Sequence, residues 1–174
     1  TIKQDLVVLL SDPQPAIATH VLRALVNICK GCPTSVAYFT EHKVFTIVKN
    51  MLQIEIDSGK KNSANVKTYL LSELVTLVDQ ILPPLTGEKA LAFVDAFPLY
   101  DCVESSVVDP RVEYFAQNPK MLAEVAESLL FINLDLFNIS RVNPELKYKT
   151  ISNILKIILG CSKEMLVALL KVCI

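Results

Sequence analysis

One stretch limits what this chain can fold into more than any other: ATHVLRALVNICKG, Ala18 to Gly31. Ile17, Val21, Ala24, Leu25 and Ile28 recur at helical spacing and make one apolar face. His20, Arg23, Asn27 and Lys30 recur with the same period on the other side. A helix so patterned is buried along one side and wet along the other. A short apolar helix, Asp5 to Leu10, and an SDPQP turn precede it, and CPTSVAYFTEHK and VFTIVKNMLQ follow. Short and long helices alternating every few tens of residues are how a helical solenoid is written, because each repeat buries its apolar face only by stacking on the next.

The breakers mark out further elements. Ser11-Asp12-Pro13 ends the first helix and caps the second, and Pro33 ends the long one. Helices are expected over Thr34 to Glu41 and Val44 to Gln53. The polar, Gly-containing IEIDSGKKNS then predicts an exposed loop over Ile54 to Asn62. A second long helix is expected from Ser63 to the Pro83-Pro84 stop. Val66, Leu70, Leu74, Leu77, Val78 and Ile81 form its buried face, with Ser72, Glu73, Thr76, Asp79 and Gln80 outside.

The pattern runs again after the prolines. Leu85 to Phe97 reads as a helix burying Leu91, Val94 and Phe97, and Pro98 to Val108 as a short one. DPRVEYFAQNP reads as a long connection. Asn118-Pro119 opens a third long helix, to about Asn138, that is apolar nearly all round. Such a helix requires cover on both sides, from other elements or from a partner. Asn143-Pro144 opens Glu145 to Leu159, with Ile151, Ile154, Leu155 and Ile158 as its stripe. Ser162 caps a last helix whose Leu166, Leu169, Leu170 and Cys173 face inward.

A chain of 174 residues is one domain by size, and its scarcity of glycine (four) and of strand-like alternation points to an all-α fold. A formal net charge of -1 argues against a nucleic-acid surface driven by bulk charge. The charge is nonetheless uneven. Thr86 to Leu136 is acidic, and Phe137 onward is basic through Arg141, Lys147, Lys149, Lys156, Lys163 and Lys171. These stretches read as two solvated faces of opposite sign; the sharper alternative is an acidic site for a basic partner, or end-to-end packing. No uncharged apolar run reaches the roughly 20 residues that cross a bilayer. TIKQDLVVLL lacks the features of a signal peptide. Without an initiator Met, and with the apolar end LVALLKVCI, the chain is expected to be a piece of a longer protein that self-associates through its apolar ends. Cys29, Cys32, Cys102, Cys161 and Cys173 are odd in number and scattered in apolar contexts, so they read as buried thiols of an intracellular protein. Cys29-Lys-Gly-Cys32 closes a helix C-terminus, with Gly31 as its capping residue, where the dipole opposes a thiolate.

Catalytic chemistry is not written here. His20 and His42 have no carboxylates at helical spacing, and there is no HExxH, GxxxxGK[ST] or GxSxG. Asp95, Asp101 and Glu104 straddle Pro98 and read as solvated helix ends. The sequon Asn138-Ile-Ser140 ends an apolar helix and is discounted. We expect no enzyme, no catalytic residue, no metal, no cofactor and no small-molecule substrate.

The first third resembles the armadillo repeat, whose pattern is an LVxLL helix, an SxDP turn, a long helix reading xALxNL, an xxGxPxxxxxxxExG segment and the next LVxLL. Leu6 to Ser11, Asp12-Pro13, Ala24 to Ile28, Gly31 to Pro33, Glu41 and Ile47 to Leu52 fill those places. Beyond Ile54 the likeness lies in helix order and spacing. The resemblance implies one armadillo/HEAT-like right-handed solenoid over residues 1–174, without β-sheet. It also implies a groove lined by the third helices, where an asparagine bonds the backbone of an extended partner peptide. Asn27 matches that asparagine, Asn133 in FINLDL matches more loosely, and the second long helix has Leu77 there. The groove tryptophans of nuclear-import receptors have no counterpart, since the chain has no Trp.

A solenoid lays the first two long helices side by side. His20, Arg23, Asn27 and Lys30 would then form a groove floor with Ser72, Glu73, Thr76 and Gln80. The Asn27 amide can satisfy a donor and an acceptor of a peptide backbone, and Arg23 can clamp a partner's carboxylate. The expectation is a non-catalytic protein–protein interaction scaffold, cytoplasmic or nuclear, holding a partner peptide or helix. Two readings stand beside it. One is a purely architectural segment of a larger helical-repeat protein. The other is nucleic-acid binding through the basic C-terminal helices, which lack interleaved aromatics.

Overall fold

The computed structural model describes residues 2–11, 14–61, 68–98, 109–139 and 143–173, and among them every regular element is helical. In order these are α1 (Ile2–Leu10), α2 (Pro15–Gly31), α3 (Ser35–Glu41), α4 (Val44–Lys61), α5 (Thr68–Leu74), α6 (Leu77–Ile81), α7 (Gly87–Ala96), α8 (Pro110–Gln117), α9 (Pro119–Ile139), α10 (Pro144–Gly160) and α11 (Lys163–Cys173).

The helices follow one another in two rows. α2 packs against α5 and α6, and α6 packs against α10, so the first row is α2, α5–α6, α10. α4 packs against α9 and makes the second. The rows join where α9 lies along α10, and α3 bridges α2 and α4. One continuous apolar core runs between them, from Leu10, Leu25 and Cys29 through Phe39, Leu52 and Leu74 to Leu129, Leu136 and Ile157. Each such side chain, fully buried, contributes about 1.5–3 kcal/mol.

The apolar helix α9 is covered within the chain, by α4, α8 and α10. Val125, Leu129, Ile132 and Leu136 are fully buried in it. Its two phenylalanines are capped by cations: Lys49 Nζ lies 4.9 Å from the Phe131 centroid and Lys147 Nζ lies 5.2 Å from that of Phe137. Leu134 stays exposed.

Several expected boundaries are corrected. Ile54 to Lys61 is not a loop but the end of α4; Asn62 and the expected start of the next helix at Ser63 and Val66 lie outside the described residues. Gln53 Nε2 reaches Asp57 Oδ1 at 3.1 Å one turn on, and a single Gly inside a helix costs only about 1 kcal/mol. DPRVEYFAQNP is not a connection either: Asp109 accepts from the Arg111 N–H and caps α8, with Pro110 in its first turn. This is the device that also opens α10, where Asn143 accepts from the Leu146 N–H. The α2 helix includes Gly31, and Cys32 is its capping residue. The short helix expected over Pro98 to Val108 falls almost wholly on residues outside the described set, as do Asp101, Cys102 and Glu104.

The second long helix is broken. It stops at Leu74 and resumes at Leu77. The β-branched Thr76 sits in the break, and its hydroxyl donates to the Glu73 carbonyl at 2.7 Å, in competition with the regular ladder. The buried sides of three helices also differ from expectation. On α10 the expected Ile151 and Ile158 are 39% and 40% exposed, and Thr150, Ser152, Asn153 and Ile157 face inward. On α7 Leu91 is exposed, and Phe93 is buried beside Phe97. On α11 Leu169 is buried but Leu170 is exposed.

Candidate functional site

The two polar stripes expected to form a groove floor do lie on neighbouring helices, α2 and α5–α6. His20, Asn27 and Lys30 are exposed along α2, and Ser72 is exposed on α5. Glu73, Thr76 and Gln80 are half-buried. The stripes meet each other, because the helices are adjacent and carry opposite charges there. The Arg23 guanidinium holds the Glu73 carboxylate through both Nε (2.9 Å) and Nη2. Arg23 therefore already has an acid from its own chain, and a partner's carboxylate would have to compete for it. Thr76 Oγ1 is turned back onto the Glu73 carbonyl rather than outward. Asn133, the looser match to a groove asparagine, is fully buried and faces no groove.

A second polar junction, not singled out in the sequence, joins α6 to α10. Asp79 receives Lys149 Nζ at 2.7 Å on Oδ2 and Lys156 Nζ on Oδ1. Its carbonyl accepts from Arg111 Nη1 at 2.7 Å. Arg111 is buried and is held in turn by Asp109, through Nε (3.0 Å) and Nη2 (2.6 Å). Burial alone would raise the Asp79 carboxyl, but the hydrogen bonds and charges of Lys149 and Lys156 outweigh it and hold it below the usual range. The hydrogen bond from Arg111 does the same for Asp109, and Lys30 on α2 adds a weaker pull. Charges thus stitch the first row from end to end: Arg23 to Glu73, and Asp79 to Lys149 and Lys156. Two of the basic residues expected on a C-terminal surface, Lys149 and Lys156, serve inside this framework, and Lys147 lies over the Phe137 ring.

Beside Asp79 lies a partly open cavity of about 180 Å³. Val78, Leu82, Leu122, Ala126, Ile157 and Cys161 line it, the Pro83-Pro84-Leu85 turn walls one side, and Asp79, Lys156 and Gly160 complete the lining. Nothing in a hydropathy pattern finds such a site, since its walls come from α6, α9 and α10.

The cysteines divide by environment. Cys29 is buried, and burial pushes its thiol up to about 12. Cys32 is exposed, and the hydrogen bond with the Thr34 hydroxyl (3.1 Å), then that with Ser35, holds its thiol below the usual range. Burial raises that of Cys161. His42 is stacked on Tyr38 with ring centroids 3.8 Å apart and its Nδ1 on the Tyr38 carbonyl, a packing role. Among the described residues no three His, Cys, Asp or Glu side chains are grouped to hold a metal ion, and no helix is long and apolar enough to cross a membrane. No family model, curated protein or solved structure matches the chain.

Proposed function

We propose that the chain is an armadillo/HEAT-like right-handed helical solenoid that acts as an intracellular, non-catalytic protein–protein interaction scaffold. The observation that carries this reading is the side-by-side row α2, α5–α6, α10, whose outward surface presents exposed polar side chains on helices fixed by a common core. A rigid surface of this kind binds an extended peptide or a helix at little ordering cost. His20, Asn27 and Lys30 offer donors and an amide to the partner backbone. Arg23 and Glu73 offer a charge pair that a partner can enter by exchange.

The test is binding of the partner to Asn27→Ala combined with Arg23→Glu. The pair should lose about 2 kcal/mol of binding or more if both sit in a desolvated centre of contact. Because Arg23→Glu also sets a second carboxylate against Glu73, circular dichroism must show the double variant folded before its binding is compared. A folded double variant that binds as the parent does places the partner elsewhere. The architectural reading has its own support in exposed apolar groups: Ile2, Val8 and Leu9 on α1, and Val167 and Leu170 on α11, suit stacking on further repeats.

A further inference from the structure

The cavity beside Asp79 has three properties of a preformed anchor site. Its volume, about 180 Å³, is close to that of a cavity known to hold benzene, roughly 150 Å³. Its inner wall is apolar and fixed: Val78, Ala126 and Ile157 are almost wholly buried in the core. One side is closed by Pro83-Pro84, whose ring-locked φ values hold the wall without further ordering cost. The two charged residues of the lining, Asp79 and Lys156, are partly exposed and tied to each other, so they sit at its rim with an acceptor and a donor together.

An apolar hole with one donor and one acceptor at its lip matches a peptide unit carrying an apolar side chain. The side chain fills the hole, the backbone carbonyl meets the ammonium and the backbone N–H meets the carboxylate. A free carboxylic acid or an amine would use only one of the two rim groups. The cavity lies at the α6–α10 junction of the row already described, with α9 as its third wall.

We infer that this cavity is the anchor pocket for one phenyl- or leucine-sized side chain of an extended partner segment, with Lys156 and Asp79 engaging that segment's backbone; this rests on the interaction-scaffold reading. Glycine at 160 helps keep it open. A Cβ there would stand 3.9 Å from Leu85 Cδ2, so a larger side chain enters the cavity space.

The test uses the full chain, labelled with ¹⁵N and titrated with N-acetyl-phenylalaninamide. N-acetyl-leucinamide should behave similarly, and N-acetyl-glycinamide is the control. Saturable shifts in the millimolar range are expected at the amides of Leu82, Leu85, Ala126, Ile157 and Cys161, with the glycine compound at least tenfold weaker. Gly160→Val should weaken the phenylalanine compound at least tenfold by occupying the cavity. Lys156→Met, which leaves Lys149 on Asp79, should weaken it several-fold. Absence of saturable shifts at these amides overturns the inference, as does a Gly160→Val chain that binds unchanged. A chain that loses its partner through Asn27→Ala with Arg23→Glu yet binds none of the three compounds keeps the scaffold reading and overturns this one.

Discussion

The Asn153 carboxamide on α10 donates to the carbonyl of Val75, 78 positions away in the break between α5 and α6, at 2.7 Å. Its Nδ2 also lies 3.0 Å from Oδ1 of Asn133 on α9, whose own Nδ2 donates to the Leu129 carbonyl at 2.8 Å. Both asparagines are fully buried. A break in a helix at the core leaves backbone polar groups that must be satisfied, and one buried amide answers the carbonyl here. The two asparagines thus tie the first row to α9.

Asn153→Ala should therefore cost about 2 kcal/mol. It strands the Val75 carbonyl and the Asn133 oxygen away from water, a penalty offset in part because Asn153 Oδ1 has no partner among the described residues. Urea unfolding measures it. A loss below about 0.5 kcal/mol, the range of a neutral surface substitution, would mean that the relay contributes nothing.

Asp79 predicts an acid-dependent stability. Its folded carboxyl lies below the ordinary range, because two lysines overcome the effect of burial. A group depressed on folding contributes stability above its unfolded pKa, about 3.9, and loses it as pH falls through the lower folded value. Asp79→Asn should be less stable than the parent by about 1 kcal/mol at neutral pH. The gap should close below about pH 4. Equal gaps at both pH values would contradict this.

Lys43, in the turn between α3 and α4, is among the described residues the non-glycine one with a left-handed backbone, φ 55°. Side chains pay about 1–2 kcal/mol there, and glycine does not. Lys43→Gly should raise stability by about 0.5–1 kcal/mol, after glycine's greater loss of freedom on folding, and Lys43→Val should lower it. Thermal unfolding of the three chains orders them.

The thiols should react in a fixed order. At pH 8, peptide-level alkylation should find Cys32 modified first among Cys29, Cys32 and Cys161. It is exposed and its thiol is lowered by Thr34, whereas Cys29 is buried with its thiol pushed up to about 12. Cys29 reacting as fast as Cys32 would mean that α2 opens in the native state.

The helical class and most helix positions were legible because apolar spacing and the cap-and-proline pairs are local signals. Asn143-Pro144 marked its helix start to within a residue. The same device at Asp109-Pro110 is hard to read because the helix behind it, PRVEYFAQ, is short and has no apolar stripe: Phe115 is buried while Val112 points outward. The buried side of α10 departs from its apolar stripe for a different reason. Its buried side carries Thr150, Ser152 and Asn153, side chains that hydropathy assigns to water; the two hydroxyls donate to the Lys147 and Lys149 carbonyls of the same helix, and Asn153 reaches the Val75 carbonyl. The Asp79 junction and its cavity were illegible because their parts lie 32, 70 and 77 positions apart in the chain. The exposed position of Arg23 is legible in the helical spacing, whereas its pairing with Glu73 follows from how closely α2 and α5 approach.

The central claim is that the row α2, α5–α6, α10 carries the partner. A photo-crosslinking side chain placed in turn at Asn27, at Gln80 and at Leu134, the last exposed on α9 in the other row, tests it most directly. The account predicts the same crosslinked polypeptide from Asn27 and Gln80 and none from Leu134. Crosslinking from Leu134 alone, or equally from all three, would contradict it.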